Sequence, residues 1–233
     1  MKRSEINQIM RSDDEFIRSH GFYLPLFAYW TPEDWAAKGP EVSEIVENNL
    51  GWDITDFGSA DFQKNGLFLF TIRNGHPDNL KNQSGKLYAE KLLIVEEKQV
   101  TPLHFHWKKM EDIINRGGGL LMFQLYRSTP DEEVDWKADV PISIDGVRKV
   151  VSAGAKIGLE PGESLTIPQG LYHTFWSDRD RVLIGEVSLV NDDHIDNRFY
   201  EPIGRFPVVE EDEPPLHLLV NDYQRFYQGI ARA

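Results

Sequence analysis

Two histidines separated by a single residue, His104 and His106, constrain the fold of this chain more than any other feature. Side chains on a β-strand alternate between its two faces, so this spacing directs both imidazoles to the same side. Glu111 follows shortly afterwards, and His173 comes much later, after the turn sequence Pro168-Gln169-Gly170. Three neutral imidazoles and a carboxylate suit a borderline divalent ion and leave coordination positions for a substrate oxygen. The pattern predicts one metal site assembled from two hairpins.

The same residues form two motifs that resemble those of the cupin superfamily, in which glycines flank the His-x-His and Pro-x-Gly-x-x-His sequences. Gly118, Gly162 and Gly170 are in register with the motif glycines of the inter-strand turns. Lys98 stands where the first glycine belongs, which predicts a different turn before the first metal strand, and Ser177 replaces a final Asn. The resemblance implies a mainly β fold, a cupin-type double-stranded β-helix or jelly-roll barrel.

Hydrophobic periodicity changes from helical to strand-like along the chain. One helix is predicted from Ser4 to Gly21, a second begins at Thr31-Pro32, and a third covers Glu41–Leu50. From Gly66 onward the period is two, and turns recur at short intervals. The predicted strands are Leu67–Ile72, Leu87–Glu96, Pro102–Trp107, Gly119–Arg127, Ile142–Ile144, Arg148–Val151, Ala155–Leu159, Ser164–Ile167, His173–Trp176, Val182–Val190 and Leu216–Val220.

These periods predict a single cupin domain over residues 1–233, because the sequence has no internal repeat or low-complexity linker. Residues 1–60 form a helical N-terminal extension that packs outside the barrel or at a subunit contact. Residues 61–233 form the β-barrel.

Composition excludes several classes of function. The chain has 25 Lys and Arg against 38 Asp and Glu, a net charge of −13, so a nucleic-acid backbone would be repelled. No stretch has the roughly 18–20 apolar residues of a membrane span, and the N-terminus lacks the apolar run of a secretory signal. The absence of cysteine excludes disulfides and thiolate ligands and fits a reducing compartment. We expect a cytoplasmic protein that binds neither nucleic acid nor a membrane.

Charged residues within apolar strands are the candidates for acid–base chemistry. Glu186 lies in the apolar run Val182–Ser188, where a carboxylate is costly unless it is paired or functional. Lys109 comes two residues before Glu111, and Lys91 precedes the apolar run Leu92-Leu93-Ile94-Val95. For Glu186 a buried ion pair is the structural alternative, and for Lys91 an outward orientation.

Beyond these motifs, three segments resemble the D-lyxose isomerases, cupin-type enzymes that convert D-lyxose to D-xylulose and often D-mannose to D-fructose. The segments are Thr101–Gly119, Ile167–Trp176 and Gly185–Asp193, and the helical lead-in extends the likeness to nearly the whole chain. The resemblance implies a small aldose or ketose substrate, one divalent metal ion per chain, a cis-enediol route and a homodimer. The ion expected is Mn, with Zn, Co, Fe and Ni as alternatives.

This resemblance and the residue chemistry together give a predicted division of roles. His104, His106, Glu111 and His173 are the metal ligands. Glu186 is the base that moves a proton between neighbouring carbons, and Lys109 donates to a sugar oxygen. The predicted substrate-binding residues are Lys91, Asp192 and Arg198.

Two other functions use the same ligand set. An Fe(II)-dependent cupin dioxygenase would require redox-active iron and oxygen uptake. A non-catalytic sugar-binding cupin would bind a ligand without turnover. The fold alone does not distinguish these functions.

Overall fold

The computed structural model describes residues 1–229, and these form a mainly antiparallel β structure preceded by short helices. Its twelve strands are β1 (Gly51–Thr55), β2 (Leu67–Arg73), β3 (Tyr88–Val95), β4 (Val100–Phe105), β5 (Glu111–Ser128), β6 (Val134–Asp135), β7 (Val140–Ile144), β8 (Val147–Val151), β9 (Lys156–Leu159), β10 (Ser164–Ile167), β11 (Leu171–Leu189) and β12 (Arg198–Phe199). The α-helices are α1 (Arg3–Ser19), α2 (Pro32–Ala36), α3 (Ser43–Glu47), α4 (Asp78–Asn82) and α5 (Tyr223–Phe226). Three 3₁₀ turns lie at Leu26–Tyr29, Pro40–Val42 and Val220–Asp222.

Two long strands, β5 and β11, join the two halves of the barrel. They pair with each other along most of their length. The second half of β11 also pairs with β3, and its first half pairs with β4. Strand β5 pairs with β10 at its start and with β9 and β6 further along. Each long strand therefore serves both sheets, and their inner faces enclose a core of leucine, isoleucine, valine and phenylalanine side chains.

A bend in the middle of β5 allows it to pass from one sheet to the other. The registers between β5 and β11 shift at this point, between Asp178 and Val182. Gly118 has a φ of 97°, and a Cβ atom built on it would lie 2.1 Å from the Arg181 carbonyl oxygen. Any other residue would clash with the backbone of β11. Gly118 thus lies at a bend within one strand, rather than in a turn between strands as the motif suggested.

Helix α1 packs outside the barrel, as predicted. Its apolar residues Ile6, Met10 and Ile17 are buried against the outer face of the sheet, which includes Phe68 and Phe70 of β2. This second core is distinct from the one inside the barrel, and it fixes the helical lead-in to the outer face of β2, β3 and β11.

The structure differs from the predicted elements in several places. Strand β5 begins at Glu111 rather than at Gly119, and β11 joins the predicted strands His173–Trp176 and Val182–Val190. Strand β1 lies inside the range predicted to be helical, so the β region begins at Gly51 rather than at residue 61. The third helix is shorter than predicted and covers Ser43–Glu47. The predicted strand Leu216–Val220 is wrong: Leu219 makes one isolated bridge to Trp52, and a 3₁₀ turn begins at Val220.

The turn before β4 keeps a glycine-like backbone despite its lysine. Lys98 has a φ of 64°, in the left-handed region. The lysine adopts this conformation at a cost of about 1 kcal/mol relative to glycine, and the expected change of turn stays a prediction.

Among residues 1–229, no helix is both long enough and apolar enough to cross a membrane.

Candidate active site

Three histidines converge inside the barrel. His104 is on β4, His106 follows the end of β4, and His173 is on β11, where it pairs directly with His104. All three side chains are buried, and each offers a ring nitrogen within 4.8 Å of the other two. Phe105, between the first two, points to the opposite face and packs on Tyr172. The strand alternation predicted from the His-x-His spacing is confirmed.

Backbone carbonyls orient each imidazole. Nδ1 of His104 lies 2.7 Å from the Pro102 carbonyl oxygen, and Nδ1 of His173 lies 3.0 Å from that of Leu171. His106 Nδ1 lies 2.9 Å from the carbonyl oxygen of Asp196. Because a carbonyl oxygen can only accept, Nδ1 carries the hydrogen in each ring, and Nε2 keeps its lone pair. This is the arrangement of histidines that bind a metal through Nε2.

The electrostatic environment keeps His104 and His106 neutral. Burial lowers the pKa of His106 to about 3, and the nearby Lys109 ammonium acts in the same direction. Burial, together with the adjacent His173 and His106, lowers the pKa of His104 well below its usual value. Neutral imidazoles can bind a cation without first losing a proton, so this buried group could hold a metal ion.

Glu111, the fourth predicted ligand, adjoins two of the three histidines. Its Oε1 lies 3.2 Å from Nε2 of His173 and 3.6 Å from Nε2 of His106. Its Oε2 lies 2.5 Å from the Lys109 ammonium nitrogen. Burial alone would raise the pKa of Glu111, but Lys109 and the histidines outweigh it and hold that pKa well below its usual range. Glu111 is therefore a carboxylate, with one oxygen directed toward the imidazoles.

Glu186 is held between two lysines on the wall beside this group. Its Oε1 lies 3.0 Å from Lys109 Nζ and 3.5 Å from Lys91 Nζ, and Ser188 Oγ donates to the same oxygen at 2.9 Å. Oε2 has no hydrogen-bond partner among residues 1–229. Glu186 and Lys91 are 2% and 1% exposed, and both line the cavity. The predicted inward orientation of Lys91 is confirmed.

The charge network continues to residues that the sequence analysis missed. Asp193 Oδ2 lies 3.6 Å from Lys91 Nζ and 3.2 Å from Arg205 Nη2, and Arg205 Nη2 lies 2.6 Å from Asp53 Oδ2. Burial would raise the pKa of Asp193, but Lys91 and Arg205 hold it well below its usual range.

For Lys109, burial would lower the pKa, but the surrounding carboxylates raise it. The network is a row of alternating charges that begins at Glu111.

Asp192 and Arg198, two of the three predicted substrate-binding residues, do not line this cavity. Asp192 faces a separate surface pocket, and the adjacent residue Asp193 enters the cavity in its place. Arg198 is partly exposed on β12 and lies 3.7 Å from Glu133, an exposed residue. Neither side chain is placed at the cavity: in a loop no strand alternation determines which of two adjacent aspartates points inward, and Arg198 lies on a two-residue edge strand near Glu133.

Asp196 is a further site residue that its sequence context did not reveal. Its two carboxylate oxygens accept the backbone N–H groups of Lys108 and Lys109 at 2.9 and 3.0 Å. Its carbonyl oxygen also accepts from His106. One loop residue thus positions both a predicted ligand and the predicted proton donor. The Asx-rich loop sequence was the only signal for it.

The cavity has one charged wall and one apolar wall. The apolar wall comprises Phe57, Leu67, Leu69, Leu93, Ile113, Phe175 and Phe199. The cavity volume is about 40 Å³, which holds about three waters. An outer cleft of about 450 Å³ has Phe57 in common with it.

Solved structures with the same fold include L-ribose isomerases. The enzyme from Geodermatophilus obscurus has a TM-score of 0.60 at 14% identity, and the unliganded enzyme from Cellulomonas parahominis has a TM-score of 0.59 at 12% identity. Each match covers 90% of this chain and 98% of the other. The architecture is therefore a cupin-type antiparallel β-barrel, as predicted.

Sequence relatives identify the class of enzyme. Two proteins named D-lyxose/D-mannose isomerase, from Escherichia coli O157:H7 and Serratia proteamaculans, are each 44% identical over 229 residues. The matches cover 97% of this chain and 100% and 99% of the relatives. The class is that of the sugar isomerases, which interconvert aldoses and ketoses. A family model described as D-lyxose isomerase matches residues 1–223, and the chain belongs to this family.

Proposed function

We propose that this enzyme converts D-lyxose to D-xylulose, and D-mannose to D-fructose, with one divalent metal ion and a cis-enediol proton transfer. The observation that carries the proposal is the position of Glu186, whose carboxylate has one oxygen held by two lysines and the other unpaired, beside the three-histidine group. The relatives named D-lyxose/D-mannose isomerase, matched along nearly their full length, support the choice of sugars.

The residues present fit a divalent ion. Ligand atoms that share one ion at about 2.0–2.2 Å lie roughly 3–4 Å apart, and the 3.2 and 3.6 Å separations from Glu111 Oε1 to two imidazole nitrogens agree with this spacing. We assign His104, His106, Glu111 and His173 as its ligands. Mn is the ion we expect, and Zn, Co, Fe and Ni suit the same donors. When bound, such an ion supplies Lewis-acid polarisation of the substrate carbonyl.

Glu186 is the proposed base. Its Oε2 takes the proton from C2 of the aldose, exchanges it in part with the few waters of the cavity, and delivers a proton to C1, while a second proton passes from O2 to O1 of the cis-enediol. Three donors hold Oε1, so the carboxylate cannot rotate away from the cavity. Such pre-orientation contributes to rate because no reorganisation is needed at the moment of proton transfer.

The lysines are proposed as donors to the sugar oxygens. Lys109 has a raised pKa because of its neighbouring carboxylates, so it keeps its proton at neutral pH and acts as a hydrogen-bond donor. Lys91 lies on the other side of Glu186 and is proposed to bind a substrate hydroxyl. The cavity excludes all but a few waters, which strengthens each of these interactions.

The proposal is tested by incubating metal-depleted protein, reconstituted with Mn or with each alternative ion, with a panel of aldopentoses and aldohexoses in D₂O. Ketose is expected from D-lyxose and D-mannose, with solvent deuterium on the carbon that receives the proton. Chelation should abolish turnover, and Mn should restore it. Ketose without deuterium would contradict the proton-transfer route, because a direct hydride shift incorporates no solvent hydrogen.

The alternatives give different outcomes in the same experiment. Oxygen consumption by the Fe(II)-loaded protein would indicate a dioxygenase. Sugar affinity in calorimetry without ketose under any metal would indicate a binding protein. The homodimer and the cytoplasmic location remain predictions, and light scattering of the full chain measures the former.

A further inference from the structure

The apolar part of the cavity contains one polar side chain whose hydrogen-bonding capacity is unused. Thr101, on β4, is 2% exposed and lines the cavity. Its hydroxyl oxygen is buried and has no hydrogen-bond partner among residues 1–229. Its backbone is fixed, because Thr174 Oγ1 donates to the Thr101 carbonyl oxygen at 2.6 Å.

A β-bulge gives Thr101 the face of β4 that lines the cavity. On β11, His173 pairs with His104 and Phe175 pairs with Thr101, so three steps along β4 oppose two along β11. In a regular strand, residues 101 and 104 would point to opposite faces. The extra residue of the bulge reverses this relation and gives Thr101 the same face as the histidine. Bulges commonly redirect a side chain beside a functional site.

The unpaired hydroxyl has a free-energy cost that valine, which has the same shape, would avoid. Loss of water from a buried hydroxyl is compensated only when another group hydrogen-bonds to it. Phe175, the residue paired with Thr101, and Leu93 are apolar neighbours in the cavity wall and cannot compensate. A hydroxyl group of a bound ligand can form this hydrogen bond, and sugars carry a hydroxyl on nearly every carbon.

We propose that Thr101 Oγ1 forms a hydrogen bond with the C4 or C5 hydroxyl of the bound sugar, on a carbon that does not react. The inference depends on the proposed function. Phe175 and His173, the β11 partners of Thr101 and His104, are two residues apart. At 3.4 Å per residue this is a distance of about 7 Å along the strand. This separation is comparable to the length of an open-chain pentose. A sugar whose first two oxygens face the histidines therefore extends a distal hydroxyl toward Thr101.

A matched pair of variants tests the hydrogen bond. Thr101→Val removes the hydroxyl and keeps the shape, whereas Thr101→Ser keeps the hydroxyl. The wild-type protein and both variants are assayed with D-lyxose and with its 4-deoxy and 5-deoxy analogues. For D-lyxose, Thr101→Val should lower kcat/KM about fivefold to tenfold, the effect of one hydrogen bond. For the analogue that lacks the contacted hydroxyl, wild type and Thr101→Val should be equal, while Thr101→Ser should resemble wild type with every sugar.

Two further measurements separate this proposal from the proposed function. Calorimetry with a non-isomerisable pentitol should give weaker binding to Thr101→Val than to wild type, whether or not turnover occurs. The unliganded Thr101→Val protein should have a Tm at least equal to that of wild type, because the variant removes an unpaired buried hydroxyl.

An equal loss of kcat/KM with all three sugars, or an unchanged kcat/KM for D-lyxose, would overturn the role of Thr101 while leaving the isomerase intact. A lower Tm for unliganded Thr101→Val would also overturn it, since the hydroxyl would then have a structural partner. Absence of ketose from the wild-type protein would instead refute the proposed function.

Discussion

Two groups of buried charges in this protein have similar chemistry and different consequences. In the first, Lys91, Lys109, Glu111 and Glu186 line the cavity. In the second, Arg3 of helix α1 is fully buried and binds Glu211 and Asp222 through its three guanidinium nitrogens. Both groups contain a buried cation bound by carboxylates, although Glu211 is 37% exposed, and burial of the cation alone does not distinguish them.

The difference lies in the atoms that remain free. Every guanidinium nitrogen of Arg3 has a carboxylate partner, so that group can only join the N-terminal helix to the C-terminal segment. In the cavity, Glu186 Oε2 and the Nε2 atoms of the histidines face a space that a ligand can enter. An incompletely satisfied polar group beside a cavity is therefore a better indicator of catalysis than a buried ion pair.

The largest expected effect comes from the cavity group. Glu186→Gln should lower kcat by about 10²–10⁴, because the amide cannot accept the substrate proton. Bound metal, measured by atomic emission, should change little, because Glu186 is not among the assigned ligands; turnover is compared at a temperature where the variant is folded, since it loses a buried charge between two lysines. Turnover near the wild-type value would exclude Glu186 as the base and remove the contrast between the two groups.

Removal of Arg3, the cation of the second group, should lower stability and leave turnover almost unchanged. Arg3→Ala should lower the free energy of unfolding by about 3 kcal/mol, since it leaves the Asp222 carboxylate without its buried partner. Its kcat should stay within about twofold of wild type at a temperature where the variant is folded. Arg225→Ala is the matched control: it removes an exposed partner of Glu211 and should cost less than about 1 kcal/mol. Equal destabilisation by the two variants in urea titrations would contradict a structural role specific to Arg3.

A pH effect on stability is expected at the interface between helix α1 and the barrel. Burial raises the pKa of Asp13 to about 7, against the opposing effect of Arg181, and Glu96 acts in the same direction as burial. Between about pH 4 and pH 7 the folded protein retains a proton that the unfolded chain releases, so this group's contribution to stability falls as pH rises. The difference in unfolding free energy between wild type and Asp13→Asn should therefore fall across this window and become constant above it.

The control for this measurement is Glu15→Gln, on the exposed part of the same helix. The effect of burial would be contradicted if the difference in unfolding free energy between wild type and Asp13→Asn did not change from pH 4 to pH 8.

The smallest effects should come from the two residues that lie outside the cavity. Arg198→Ala and Asp192→Asn should each change kcat/KM for D-lyxose by less than about threefold, because neither side chain lines the site. Surface substitutions of this kind usually alter stability by less than about 0.5 kcal/mol. A tenfold loss for either variant would mean that its side chain moves into the cavity when sugar binds.

Sequence patterns predicted most of the barrel because its strands alternate between an apolar and a polar face. Strand β1 was missed for a physical reason: it contains Gly51 and Asp53, residue types that are rare in strands, and its five residues are all buried, so neither composition nor alternation marks it. The segment Leu216–Val220 has the apolar content of a strand, but it follows two prolines and forms only the bridge at Leu219. A pattern of apolar residues does not supply a pairing partner.

The sequence by itself determined which face of each metal strand carries the histidines, because alternation along a strand is a local property of the backbone. Only the tertiary structure decided that Asp193 rather than Asp192 enters the cavity, that Arg205 lies beside Asp193, and that Thr101 shares the face of His104. Loop direction and bulge position depend on contacts between residues far apart in the chain. No local period encodes those contacts.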